Sequence, residues 1–235
     1  MSEPPAPVGA GGSARQMSQY WRLSETVTAC SVSGRILFLD IARDRYVALP
    51  PDRNDRFLSW LQSPVDPIPE ACGPILAELG LDDRAGRPAP TSCFVARPMP
   101  MDSPYLHRRR VRTREVLSVA QAVISAHADL RSRPLADVLA FYSPPSARGS
   151  SSAADLESRL AIFRSARALV PVGRLCLPDC LALIRWLGPS ARGITLVLGV
   201  SALPFAAHSW LQSGTMVMDD HPESPSRYQP IVHLP

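Results

Sequence analysis

Short runs rich in β-branched and apolar residues occupy positions 26–32, 35–41 and 46–49, separated by Ser33-Gly34 and Arg43-Asp44. This pattern predicts three strands joined by tight turns, a small meander that Pro50 and Pro51 bring to an end. Residues 53–62 then place Phe57, Leu58, Trp60 and Leu61 at near-helical spacing. A second helix is predicted over 72–81, where Ile75, Leu76 and Leu79 form an apolar stripe. Residues 84–104 (RAGRPAPTSCFVARPMPMDSP) are rich in proline and lack periodicity, which reads as a linker. Beyond it, helical spacing returns over 113–130, over 135–142 just after Pro134, and, past the loop SPPSARGSSS, over 154–169. The last segment predicts a helix CLPDCLALIRWL opening at Cys176, a buried strand at 194–200, and two strands at 206–212 and 215–218 turning at Ser213-Gly214. The fold class expected is α+β in two domains. They comprise a floppy tail at 1–17, a first domain at 18–83, the linker at 84–104 and a second domain at 105–235.

Composition narrows the functional classes. All the basic residues are arginine, and 25 of them against 21 acids leave +4, too small and too scattered an excess for a nucleic-acid footprint. The one dense cluster, HRRRVRTR at 107–114, reads as a solvated helix entry. The five cysteines, at 30, 72, 93, 176 and 180, form an odd set without paired CxxC spacing. Neither a disulfide framework nor a zinc site is expected, and a reducing cytoplasm fits best. No signal-peptide core and no run of ~20 apolar residues is present, so no membrane association is expected. The 25 prolines, against a usual share of roughly 5%, account for the many turns.

The chemistry concentrates near the C-terminus. Cys176 falls at a helix N-terminus, with Pro178 in the first turn where a missing N–H does no harm. Unpaired amides and the helix dipole there favour the thiolate, the reactive form of cysteine. Cys180, one turn on and flanked by leucines, reads as a buried small residue. His208 alternates with Ala206 and Trp210 on one face of its strand, from which it can point toward the helix that presents Cys176. Asp219-Asp220 ends the next strand and offers a carboxylate to orient the imidazole. Nucleophile, base and orienter are the set that nucleophilic acyl transfer needs. Each also has a plain structural reading: a helix-start cysteine can be core, a strand histidine a satisfied surface group, and Asp-Asp turn chemistry. His221 and His233 are rival bases placed among prolines in an irregular tail, and Asp219 competes with Asp220.

The segments LCLPDCLALIRWL, ITLVLGV and PFAAHSWLQSGTMVMDD, in that order, resemble the peptidase part of lasso-peptide biosynthesis B proteins, which are transglutaminase-like, papain-like cysteine peptidases. That resemblance implies Cys176, His208 and Asp220 as the catalytic residues; relatives carry Asn where Asp219 stands. GRILFLDIARDRYVALP, with RFLSWL and ACGPILAELG, is similar to a small winged-helix-like leader-recognition domain related to pyrroloquinoline-quinone chaperones. In such domains the leader adds as a strand beside the last helix, which here implies Tyr46, Val47, Ala48 and Leu49 together with Ile75 and Leu79. The implied function is a cytoplasmic cysteine endopeptidase that removes the leader from a ribosomally made precursor peptide, with an asparagine-synthetase-like cyclase as partner. No cofactor or metal is expected, and no Gly-rich phosphate loop is present. The family pattern says little about residues 105–170. Two other classes compete: a peptide-binding adaptor without catalysis, against which the intact Cys, His and Asp set argues, and a winged-helix DNA-binding regulator. The latter would need an Arg/Asn/Gln-rich reading helix, which neither RFLSWLQS nor GPILAELG supplies.

Overall fold

The computed structural model describes residues 20–61, 73–80, 82–85, 109–142, 153–218 and 225–234. Strands β2 (Val27–Val32) and β3 (Arg35–Asp40), preceded by β1 (Tyr20–Leu23), close through Ser33 and Gly34 at φ 50° and 73°. Left-handed backbone at both turn residues matches the twist of the flanking strands, and glycine adopts it without a Cβ clash. Strand β4 (Arg45–Ala48) pairs antiparallel with β3, giving the order β2-β3-β4 with β4 at an edge. The two prolines end the strand as expected, but Pro51 also opens helix α1 (Pro51–Leu61), where the first turn has no use for its N–H. Helix α2 (Gly73–Leu79) follows, and then a strand the sequence pattern does not announce, β5 (Asp82–Ala85). Antiparallel pairing of β5 with β1 brings residues 82–85 back onto the start of this part of the chain.

Polar side chains tie the meander to its helices. Asn54 accepts the Ile36 N–H at 2.8 Å and donates to the Gly34 carbonyl at 2.6 Å, so α1 grips the first hairpin. Asp40, fully buried, accepts from Arg43 at 2.9 Å and Arg45 at 3.3 Å, and these guanidiniums also donate to the carbonyls of Gly80 and Leu79. Burial alone would raise the Asp40 carboxyl, but those bonds outweigh it and hold it below its ordinary value.

The run Ile36-Leu37-Phe38-Leu39 is buried at every position, the signature of a strand covered on both faces. Ile36 and Phe38 point into a small core with Val27, Ala29, Phe57 and Leu76, where the rings of Phe38 and Phe57 meet edge-on at 5.8 Å. Leu37, Leu39 and Cys30 face the opposite way, into the large core of the C-terminal half. The two halves therefore share buried apolar surface.

In that second half, α3 (Thr113–Ser132) buries Val119, Ala122, Val123 and Ala126, one stripe at helical spacing. Helices α4 (Leu135–Tyr142) and α5 (Ala153–Arg167) precede the central helix α6 (Cys176–Leu187), which packs between α3 and a four-stranded antiparallel sheet. The sheet consists of β6 (Thr195–Ala202), β7 (Phe205–Ser213), β8 (Met216–Val217) and β9 (Gln229–Leu234), in the order β8-β7-β6-β9. β9 corrects the expectation of an irregular tail around His233, which lies on that strand opposite Val197. Pro230 obscures the strand in the sequence, yet it is tolerated because β9 is an edge and its register shifts at Leu198/Gly199. Among the described residues no helix is long and apolar enough to cross a membrane.

Candidate active site

Cys176 is the first residue of α6, and its N-cap Leu175 is extended at φ −133° and ψ 136° without a side-chain cap. The first-turn amides therefore meet no competing side-chain oxygen at the cap, and the helix dipole acts on the thiol beside them. Cys176 is exposed, whereas Cys180 is fully buried, as the sequence reading expects. The Cys176 thiol is lowered from 9.0 to about 7. The ring N–H of His208, donating to the sulfur, is the largest cause; partial burial opposes it, and the Ser209 hydroxyl and backbone N–H lower the value further.

Strand β7 supplies both neighbours of the sulfur. Leu211 accepts the Met218 N–H on the β8 side, and residues two apart on a strand face the same edge, so the Ser209 N–H faces that edge too. There it donates to the Cys176 sulfur. The Ser209 side chain lies 3.6 Å from Cys180 on the α6 side. His208 is on the other face, stacked against Trp210 at 6.1 Å and tilted against Tyr228 at 5.1 Å. This corrects the expectation that its face turns toward α6, since the Ser209 and Leu211 face packs on that helix and His208 meets it at its first residue. Gly199 pairs with His208 across the ladder, and a Cβ there would lie 2.6 Å from the Trp210 ring and 2.9 Å from the Tyr228 Cβ. Glycine is thus required for the two aromatic rings to close around the imidazole.

The segment leading into Cys176 is fixed by Arg167, at the end of α5. Its guanidinium donates to Asp179 at 2.8 Å and to the carbonyls of Val170, Val172 and Gly173 at 3.4, 3.1 and 3.0 Å. A nearly buried cation thus holds the turn before the nucleophile at three points and ties it to Asp179 on α6. A cavity of about 240 Å³ opens over the pair, with Cys176, His208 and Ser209 among its lining residues.

Of the residues expected in the site, Cys176 and His208 come together. Asp220, with its competitor Asp219 and the rival His221, lies outside the described residues. Strand β4 also reaches this region. Tyr46 packs its ring edge-on to Phe205 at 5.3 Å, and its hydroxyl is raised to about 12, chiefly by burial and then by the charges of Asp44 and the Cys176 thiolate. Alternation sends Val47 and Leu49 into the small core, and among the expected leader contacts whose side chains are described only Ala48 is exposed. Leu79 is half-buried beside that core, and the Ile75 side chain is outside the described residues. Ser209, Arg167 and Tyr228 are absent from the sequence-based expectation. Ser209 has a local signal, its place beside His208, whereas the others are joined to the site only by packing. Among the described residues no group of His, Cys, Asp and Glu is placed to hold a metal ion.

Residues 120–233 match the family described as the Transglutaminase-like superfamily, a span that includes α6, β6, β7, β8, all but the last residue of β9, Cys176 and His208. A transglutaminase-like domain therefore occupies this part of the chain. No curated protein and no solved structure matches the chain.

Proposed function

We propose that this chain is a cysteine endopeptidase of lasso-peptide maturation, which binds the leader of a precursor peptide and hydrolyses the leader–core bond. The observation that carries the reading is the Cys176 thiol at the tip of α6, hydrogen-bonded by His208 and lowered to about 7. Near neutral pH such a thiol is substantially thiolate and needs no strong external base to attack a carbonyl carbon. His208 then protonates the leaving amine, and the acyl-enzyme is released when His208 takes a proton from the attacking water. Asp220 is our candidate to hold the imidazole, and the Cys176 N–H our candidate oxyanion donor.

Leader binding is assigned to a winged-helix-like first domain over residues 18–83, by strand addition along β4 at Tyr46, Val47, Ala48 and Leu49, with Ile75 and Leu79 on the adjoining helix. Tyr46 lies near enough to Cys176 to feel its charge, which supports this, since a peptide on that edge is brought toward the nucleophile and gains effective concentration there. The partner that consumes the freed core peptide is an asparagine-synthetase-like cyclase, and the setting is the cytoplasm.

The test is incubation of the purified chain with a synthetic leader–core precursor, followed by mass spectrometry. Cys176→Ala and His208→Ala should each abolish cleavage while leader binding survives. Products summing to the precursor plus one water identify hydrolysis, whereas a mass gained by joining to an added amine identifies acyl transfer instead. Cleavage by the Cys176 variant would show that the nucleophile is elsewhere.

A further inference from the structure

Among the described residues, three arginines line the cavity beside Cys176, against one carboxylate, Asp179. Arg167 is nearly buried and is committed to Asp179 and to the carbonyls of the 170–173 turn. Arg164, three residues earlier on α5, and Arg174, two residues before Cys176, are exposed and form no ion pair among the described residues. Since that acid is already paired with Arg167, the described lining leaves two cations, Arg164 and Arg174, without a carboxylate partner among the described residues. Their surroundings are not open water: Phe163 and Leu175 wall the same cavity, and its floor carries Cys176, His208 and Ser209. Two guanidiniums lining one partly apolar cavity suit a planar carboxylate, because each presents a fixed fork of donors and lowered polarity strengthens the attraction.

Tyr46 and Phe205, at which β4 meets the site, are not among the cavity's described lining residues. A peptide arriving along β4 therefore leaves the arginine cavity for side chains near the bond to be cut. We propose that this cavity is a subsite for a side-chain carboxylate of the substrate, an Asp or Glu within a few residues of the scissile bond, gripped by Arg164 and Arg174. The proposal rests on the reading of Cys176 as a peptidase nucleophile, and it names the chemistry that reading leaves open.

Two measurements on the full chain separate the proposal from that reading. In the first, Glu is scanned through the positions flanking the cut in C-terminally amidated precursor peptides, with Gln isosteres at each position and one free-acid peptide as the control for a terminal carboxylate. We expect one position at which Glu exceeds Gln by roughly tenfold in kcat/KM, and an Arg164→Gln/Arg174→Gln double variant that loses this preference. In the second, Cys176 is alkylated with anionic iodoacetate and neutral iodoacetamide, modification at that residue being read by mass spectrometry. The ratio of the two rates should fall several-fold in the double variant, while the iodoacetamide rate itself stays close to that of the parent chain. Both arginines are exposed, so the double variant should melt as the parent does. If peptides are cut with no preference for Glu over Gln, if the preference survives in the double variant, or if only the free acid is favoured, the side-chain subsite is refuted and the peptidase stands. If no peptide is cut, the peptidase reading fails, and the alkylation ratio alone decides: a fall supports a carboxylate site, and an unchanged ratio overturns it.

Discussion

The sulfur of Cys176 takes hydrogen bonds from two adjacent residues of one strand, and their contributions can be separated by titration. For an acid whose value is lowered, the reactive anion dominates above that value and is lost below it. Iodoacetamide alkylation of Cys176 should therefore level off above pH about 7 and fall by roughly tenfold per pH unit below it. His208→Ala removes the largest lowering cause, so its midpoint should move up toward the ordinary 9.0, leaving on the order of one thiol in a hundred ionised at pH 7. Ser209→Ala keeps the backbone N–H and should shift the midpoint by less. A His208 variant that titrates as the parent does would remove the base from the proposed mechanism. Cys180→Ala is the matching control. That thiol is buried in the core, so its loss should cost about 1 kcal/mol in urea denaturation while activity is retained.

At the level of elements, the imidazole is positioned by the close approach of two strands and the 3-10 turn at Pro225–Arg227 that precedes β9, and Gly199 makes that approach geometrically possible. Gly199→Ala inserts a methyl where the Trp210 ring lies at 2.6 Å, and Trp210 is fully buried with no room to retreat. We expect a loss of about 1–3 kcal/mol by urea denaturation, together with a larger fall in cleavage than stability alone explains, because His208 leans on both displaced rings. The helical arm depends on Arg167 in a comparable way. Arg167→Met strands the Asp179 carboxylate and three carbonyls and should cost about 3–5 kcal/mol, whereas Asp179→Asn should cost less because the guanidinium keeps its three carbonyl partners. Equal losses in the two variants would place the energy in the ion pair and leave the carbonyl bonds without weight.

For the whole molecule, the decisive feature is a sheet that belongs to two cores at once. Cys30, Leu37 and Leu39 are buried against the C-terminal half, so separating the halves exposes an apolar face on each. Fragments 18–85 and 105–235 should be poorly behaved alone, and co-expressed they should copurify as a 1:1 complex in size-exclusion chromatography. Migration as two separate folded species would count against the shared core. The free edge of β4 allows a cleaner test of leader binding. Because the Leu49 N–H pairs inward with Ile36, the N–H groups of Tyr46 and Ala48 face outward. Ala48→Pro deletes one outward donor without breaking the ladder to β3. Leader affinity, read by fluorescence anisotropy, should drop while Cys176 alkylation is unchanged; equal affinity would move the leader off this edge.

Local pattern carried much of this. The meander and its Ser33-Gly34 turn, the helix that opens at Cys176, the alternation that sets His208 beside Trp210 and the burial of Cys180 are each decided by neighbours a few residues apart, through period, turn chemistry and helix-end physics. What the sequence could not yield depends on partners far along the chain. The pairing of β1 with β5 joins residues about sixty positions apart through strands with little alternation, and β9 hides behind a proline that only an edge position and a register shift excuse. Ser209 is beside His208 in the sequence, yet its bond to the sulfur exists only because packing brings the tip of α6 to β7. The grip of Arg167 on the turn before Cys176 and the arrival of Tyr46 from the first sheet likewise follow from packing. Periodicity determines which face of an element is apolar; which other apolar face covers it is settled by the fit of whole surfaces.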